Sequence, residues 1–158
     1  KNTIMISLNI KQEKNTFTIY FEDKIYAEIV FNNYKNAVLK FDNKVLLVEE
    51  GPDKNMILKE HDISVFTFKF DYLWGGAEII AGDVDTGYDI KGRWFKSGTR
   101  LINEDDLDLV IVKIKNDELE ALVLDDSLSK MMVVTTIYYH IYASAGKFLQ
   151  VIFTSAIS

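Results

Sequence analysis

Residues 131–143 constrain the fold most, because their side chains are apolar at both odd and even positions. Only Thr135, Thr136 and His140 add polar groups to this run. A β-strand with one solvated face would alternate apolar and polar residues, so that kind of strand is excluded. An acidic, serine-containing start and a glycine near the end predict a helix over residues 127–145. A helix that is apolar on all sides has to be enclosed by the rest of its domain.

Two alternatives to an enclosed helix remain on the sequence alone. The valine, isoleucine and tyrosine content of the run favours β-structure by propensity, as a buried strand pair. A membrane span needs about 20 apolar residues. The run reaches that length only if Lys147 and Gln150 are buried with it. The residues that follow, 148–157, are predicted to form a last strand, an apolar tail or an interface.

The first three quarters of the chain show a different pattern, an alternation with a period of two. Ile6, Leu8 and Ile10, for example, fall on one face, as they do in a half-buried strand. Short polar connections predict two-residue hairpin loops, at Glu22-Asp23, Asp42-Asn43, Ser97-Gly98 and Asn116-Asp117. The pattern predicts twelve strands, at residues 4–10, 17–21, 25–31, 37–41, 45–48, 56–59, 65–70, 77–80, 88–95, 99–102, 107–114 and 121–124. No helical segment separates them, which disfavours parallel βαβ folds, and a meander this long must curl, pack on itself or close.

The combination of twelve antiparallel strands with a helix that is apolar all round resembles the tubby-like superfamily, and most closely its small bacterial LURP-one-related members. Residues 88–95, a strand with a small residue before an aromatic pair, carry the likeness, as do residues 121–128, which lead into the helix. The resemblance implies a mainly β single domain over residues 1–158, an antiparallel closed barrel of about twelve strands around the hydrophobic C-terminal helix. It also implies binding of phosphoinositides or other membrane lipids.

Composition excludes several classes of protein. The chain has 158 residues, which favours one domain, and it has no cysteine, so disulfides and thiolate chemistry are excluded. A net charge of -6 argues against nucleic-acid binding. The charge is concentrated, because residues 103–126 contain nine acidic and two basic residues, a net of -7. The rest of the chain is therefore close to neutral, and overall acidity does not exclude an anionic ligand.

A small basic cluster precedes the acidic segment and is the candidate anionic-ligand patch. It consists of Lys91, Arg93, Trp94, Lys96 and Arg100, and it contains both arginines of the chain. Guanidinium groups bind phosphate bidentately, and an aromatic side chain beside them would suit a lipid headgroup at a bilayer surface. The alternative interpretation is that the bases neutralise the neighbouring acidic strand and that the aromatic side chains belong to the core.

These observations predict a non-enzymatic module that binds a lipid or a phosphoryl ligand and associates with membranes. The alternatives are a structural or protein-interaction barrel and a carrier of an apolar ligand. We expect no catalytic residue, metal or cofactor, and His140 is predicted to be a core histidine bonded to a backbone carbonyl or a tyrosine. The expected partners are an anionic lipid or membrane surface, no nucleic acid, and a second copy bound through a sheet edge or the apolar tail. A lysine- and asparagine-rich composition fits a bacterial source, with a cytoplasmic location that includes the membrane periphery.

Overall fold

A computed structural model describes residues 5–71, 73, 75–93 and 97–144. Within them the chain forms twelve antiparallel strands, one α-helix and a short 3-10 turn at Pro52–Lys54. Each strand pairs with its neighbours in sequence, and β12 pairs with β1, which closes the barrel. The elements are β1 (Ile6–Glu13), β2 (Thr16–Phe21), β3 (Lys24–Phe31), β4 (Ala37–Phe41), β5 (Lys44–Glu50), β6 (Met56–Glu60), β7 (Ile63–Phe70), β8 (Ala77–Ala81), β9 (Val84–Gly92), β10 (Thr99–Ile102), β11 (Asp108–Lys115), β12 (Glu118–Val123) and α1 (Lys130–Ala143).

The predicted fold class is confirmed, since the protein is mainly β with a closed twelve-stranded antiparallel barrel and a C-terminal helix. The helix begins at Lys130, later than the predicted start at residue 127. Asp125 accepts hydrogen bonds from the backbone N–H and the hydroxyl of Ser127, at 3.0 and 2.7 Å, and so forms a turn. The N-cap is Ser129, whose hydroxyl accepts from the Met132 N–H at 3.2 Å. The acidic pair therefore precedes the helix and does not cap it.

Three of the four predicted hairpin loops are two-residue turns with left-handed backbone, as the tight antiparallel connection requires. Both residues of Asp42-Asn43 and Asn116-Asp117 have positive φ, as does Glu22. The prediction for Ser97-Gly98 is wrong, because β9 ends at Gly92 and the connection spans residues 93–98. Gly98 allows a close approach, since a Cβ there would lie 2.7 Å from Arg93 Cδ.

The pattern missed three further two-residue connections, Lys14-Asn15, His61-Asp62 and Gly82-Asp83. Both His61 and Asp62 have positive φ, so they form a turn between β6 and β7. His61 and Asp62 therefore do not continue β6, which ends at Glu60.

The helix lies inside the barrel. Its central residues, Val133 to Tyr138, are at most 1% exposed on every side of the helix. The Tyr138 ring stacks on Phe31 of β3 and Phe68 of β7, with centroids 5.5 and 6.4 Å apart. The enclosed helix is confirmed and the alternative of a buried strand pair is wrong. The side chains of this helix fill the interior that an apolar-ligand carrier would need to keep open.

No helix in the described ranges is long and apolar enough to cross a membrane. Among the described strands the closed barrel leaves no open sheet edge for a second copy. The predicted tail at residues 148–157 lies outside the described residues, so a dimer through that tail stays a prediction.

The two ends of the barrel differ in charge. Because consecutive strands are antiparallel, successive connections alternate between the ends, which we name the top and the bottom. The top connections are residues 22–23, 42–43, 61–62, 82–83, 103–107 and 124–129, and the helix begins there. They contain ten acids and neither lysine nor arginine: Glu22, Asp23, Asp42, Asp62, Asp83, Glu104, Asp105, Asp106, Asp125 and Asp126. The described residues of the bottom connections contain the bases Lys14, Lys35, Lys54 and Arg93 and the acids Asp53, Asp71 and Asp117.

Candidate functional site

An open depression of about 870 Å³ lies on the outer wall of the barrel, over β8, β9 and β10. Alternation along the strands decides which side chains face it, because Ile90 and Leu101 point into the core while Asp89, Lys91 and Arg100 point outward. The lining residues are Asp71, Gly75, Ala77, Glu78, Asp89, Ile90, Lys91, Gly92, Arg93, Arg100 and Asp106. The depression thus brings charged side chains of both signs together on one face.

Three of the five predicted patch residues line this depression. Lys91 on β9 and Arg100 on β10 are directly opposite each other in the strand register. Arg93 follows the end of β9, where its backbone N–H donates to the Gly98 carbonyl at 3.3 Å. Trp94 and Lys96 lie outside the described residues. The structure therefore brings Lys91, Arg93 and Arg100 together, while the predicted binding of an anion there stays a prediction.

The three bases differ in how far they are neutralised. Arg100 donates from Nη1 to Asp108 Oδ1 at 3.1 Å, and its Nε is buried without a hydrogen-bond partner among the described atoms. The guanidinium of Arg93 donates to the Ser97 carbonyl oxygen at 3.2 Å, a neutral acceptor. In the described part of the chain the Lys91 ammonium makes neither a salt bridge nor a hydrogen bond. The alternative interpretation, neutralisation by the acidic strand, thus holds for Arg100, whereas Lys91 and Arg93 keep charge that is not directly paired.

The depression also has an acidic side, which the sequence pattern did not indicate. Glu78 on β8 and Asp89 on β9 are directly opposite each other. Burial raises the pKa of Asp89 above its usual range. The Lys91 ammonium partly offsets this rise in the pKa, while Glu78, Asp85 and Asp106 add to it. Negative charge is therefore crowded around Asp89.

The loop at residues 103–107 places Asp106 beside this acidic side. The side-chain oxygen of Asn103 accepts hydrogen bonds from the backbone N–H groups of Asp105 and Leu107, at 2.9 and 3.1 Å. The Asn103 carbonyl accepts from the Asp106 N–H at 3.1 Å. The Glu104 side chain lies directly over Gly87, where a Cβ would displace it. The loop is thus held in shape by its own hydrogen bonds.

Gly76 holds the lower border of the depression close to β9. Its φ is +90°, and a Cβ at this position would lie 2.2 Å from the carbonyl oxygen of Ile90. The adjacent Gly75 has a φ of +81° but has open space where its Cβ would be. The close approach of two backbones therefore depends on Gly76.

His140 is a core residue, as predicted, and is 6% exposed. Its Nδ1 lies 2.9 Å from the hydroxyl of Thr99, a partner that the sequence did not indicate. This bond ties the helix to the first residue of β10, next to Arg100. Within the described residues no group of three or more His, Asp or Glu side chains is arranged to hold a metal ion.

A second, smaller depression of about 420 Å³ lies near the top of the barrel. Here the Lys130 ammonium contacts Asp42 Oδ1 at 2.9 Å and lies 4.3 Å from the ring centroid of Tyr26. Burial, with a smaller effect of the Asp42 charge, raises the pKa of Tyr26 to about 12. These contacts join the start of the helix to the barrel wall, and they pair the Lys130 ammonium with Asp42 and Tyr26.

Among solved structures, the chain is similar to the X-ray structure of the Arabidopsis thaliana protein AT5G01750, with a TM-score of 0.65 and 12% sequence identity. The match covers 90% of this chain and 92% of that one. Neither the protein-family models nor the curated proteins give a match. At this identity the likeness shows a shared fold. It assigns neither a ligand nor an activity.

Proposed function

We propose that this domain is a non-enzymatic binding module of the tubby-like, LURP-one-related type. It holds the phosphoryl group of a lipid headgroup, or of another small phosphorylated ligand, in the depression over β8 to β10. The observation that supports this function is the convergence of Lys91, Arg93 and Arg100 on one depression, where two of the three lack a carboxylate partner in the described structure. Lysine binds phosphate as a point charge, and the planar arginine fork can bind it bidentately.

The charge polarity of the barrel supports association with a membrane surface. An anionic bilayer attracts bases close to it by about 1 kcal/mol for each lysine or arginine. The basic side of the depression opens towards the bottom, where Arg93 and the rim lysines Lys14, Lys35 and Lys54 lie. The top connections, with ten acids and neither lysine nor arginine, lie at the opposite end. A bottom-down orientation would place Arg93 and these lysines next to the headgroups, together with the bottom acids Asp53, Asp71 and Asp117, and would keep the more acidic top in solvent.

Flotation with lipid vesicles tests this function. Wild-type protein should float with vesicles that contain an anionic phospholipid, and should do so less as salt is raised from about 0.1 to 0.5 M. The double variant Lys91→Gln/Arg93→Gln should lose at least about tenfold in association, which corresponds to roughly 1.4 kcal/mol. The control Lys24→Gln/Lys44→Gln makes the same change in net charge near the top and should float like wild type.

An experiment with a soluble phosphate ester tests binding in the depression separately from any contribution of the rim lysines. Titration calorimetry with ethyl phosphate should show binding to wild type and to the control, and loss of binding in Lys91→Gln/Arg93→Gln. If no anionic vesicle and no phosphate ester binds, the proposal is wrong. Equal losses in the two double variants would show a general charge effect and would also refute it.

A second candidate, a protein-interaction role, is favoured by the apolar side chains around the top. Seven of the large apolar side chains that are exposed flank the top connections or the start of β1: Met5, Phe21, Ile25, Val45, Ile63, Val84 and Leu107. Exposed apolar side chains concentrated at one end of a domain are typical of interaction surfaces where they form a contiguous patch. Because ten acids accompany them, the fitting partner is basic and amphipathic.

A lysine-rich amphipathic peptide is a suitable probe for this second role. Its fluorescence anisotropy should rise with wild-type protein and rise much less with Ile63→Ser/Val84→Ser. The exposed Ile114, which lies near the bottom, provides the control Ile114→Ser. An unchanged titration in the top variant would argue against this role.

A further inference from the structure

The depression is lined by two pairs of like charges, and their arrangement restricts the ligand. On β9 and β10, Lys91 is opposite Arg100. On β8 and β9, Glu78 is opposite Asp89. Like charges directly opposite each other destabilise an antiparallel pair, whereas opposite charges stabilise it. A sheet surface arranged for stability alone would exchange one base with one acid. The observed order instead separates the basic pair from the acidic pair.

The two pairs are neighbours on the same outer face. Asp89 and Lys91 are two residues apart on β9, so their pairs are separated by about 7 Å along the strand. On the far side of β8, Lys69 is opposite Glu78, but the two side chains do not form a salt bridge within the described structure. Asp106 adds a third carboxylate near Asp89. The bases Lys91, Arg93 and Arg100 thus define a basic half of the depression, and Glu78, Asp89 and Asp106 define an acidic half beside it. Asp71, in the bottom connection, is a fourth carboxylate in the lining.

We propose that the ligand of this depression is a zwitterion, with a phosphate on the basic half and an ammonium group on the acidic half. The inference rests on the proposed function and specifies its ligand as a phosphorylated amino alcohol of the phosphoethanolamine type, either free or as a lipid headgroup. A ligand with phosphate groups alone would bring further negative charge towards Glu78, Asp89 and Asp106. An ammonium group relieves that repulsion. The raised pKa of Asp89 agrees with this, because it reflects burial and the negative charges of Glu78, Asp85 and Asp106, which Lys91 offsets only in part.

Because the two halves have opposite charges, one variant should change the affinities of two ligands in opposite directions. O-phosphoethanolamine and ethyl phosphate have similar size, and only the first carries an ammonium group. Titration calorimetry on wild type should give at least about tenfold tighter binding of O-phosphoethanolamine. In Glu78→Gln/Asp89→Asn, binding of O-phosphoethanolamine should weaken at least about fivefold, and binding of ethyl phosphate should tighten. The control Asp62→Asn/Asp83→Asn makes the same change in net charge at the top and should leave the ratio of affinities unchanged.

The outcomes separate this inference from the function on which it rests. If ethyl phosphate binds as tightly as O-phosphoethanolamine, or if Glu78→Gln/Asp89→Asn tightens both, the zwitterion is refuted and phosphate binding stands. If neither compound binds and the protein floats with no vesicle, both proposals are wrong. Vesicles that contain phosphatidylethanolamine identify the source. Flotation that Glu78→Gln/Asp89→Asn weakens supports a lipid headgroup, and binding of the soluble compound alone supports a free ligand.

Discussion

Replacing Tyr138 by alanine should destabilise the barrel severely, because this side chain of the helix packs against β3 and β7. Tyr138 is fully buried, and its ring lies 5.5 Å from Phe31, 6.4 Å from Phe68 and 6.0 Å from Tyr142, centroid to centroid. Its hydroxyl donates to the Lys35 carbonyl at 2.6 Å. Truncation would therefore remove packing, aromatic contacts and a hydrogen bond at once.

The magnitude follows from these contacts. Truncation of a buried aromatic residue to alanine costs about 3–5 kcal/mol, and the lost hydrogen bond adds about 1 kcal/mol. We expect a loss of about 4–6 kcal/mol, which is a large part of the stability of a typical domain. At roughly 2–4 °C for each kcal/mol in a chain of this size, the melting temperature should fall by roughly 10–20 °C. Tyr138→Phe keeps the ring and should cost about 1–2 kcal/mol.

Urea unfolding followed by circular dichroism measures these losses, and a thermal melt checks them. Tyr34→Ala is the matched control, since Tyr34 is 40% exposed in the connection whose Lys35 carbonyl accepts the bond from Tyr138. We expect it to cost less than about 1 kcal/mol. If Tyr138→Ala and Tyr34→Ala differed by less than about 1 kcal/mol, Tyr138 could not be enclosed by the barrel and the reasoning would be refuted.

Two further predictions concern the border of the depression and alkaline pH. Gly76→Ala should lower the free energy of unfolding in urea by at least about 1 kcal/mol more than Gly75→Ala. Both variants place an alanine in a left-handed backbone conformation, but only Gly76→Ala also forces a Cβ onto the Ile90 carbonyl. Equal losses would contradict the close approach. Because the pKa of Tyr26 is about 12 in the folded protein and about 10 when unfolded, the stability it contributes is complete below pH 10 and is lost as the pH rises towards 12. Tyr26→Phe should therefore lower the loss of melting temperature between pH 10 and 12, and an unchanged loss would contradict the buried phenol.

The sequence predicted the architecture well because the strands and the helix have clearly different patterns of apolar residues. Strands that have one buried face alternate regularly, and an enclosed helix does not alternate at all. Boundaries were less predictable. The Asp125 carboxylate accepts a hydrogen bond from the Ser127 N–H in a local turn and does not cap the helix. Both hydrogen-bond patterns are short-range, so the sequence did not distinguish between them. Likewise, His61 and Asp62 lack the glycine that usually marks a tight hairpin.

The candidate site was predictable only in part. Lys91, Arg93 and Arg100 are close in sequence, so their clustering was visible. Glu78 and Asp89 come from different strands, and they meet only because a bulge between β8 and β9 shifts the register. A shift in register changes which residues lie opposite each other, and local patterns do not determine such a shift. The acidic half of the depression therefore required the structure.

The location of the acids changes what the net charge implies about ligands. In the sequence, the acidic segment of residues 103–126 appears as one block, but the barrel divides it. Asp105 and Asp125 lie at the top, whereas Asp117 lies at the bottom. A strand of eight residues such as β3, tilted by about 40°, separates the two ends by roughly 20 Å. That is more than twice the Debye length of about 8 Å at physiological salt. Top acids at that distance would be largely screened from an anion beside Lys91 and Arg93, whereas Glu78, Asp89 and the top acid Asp106 line the depression itself. We therefore expect these three carboxylates, and not the total of -6, to govern the proposed binding.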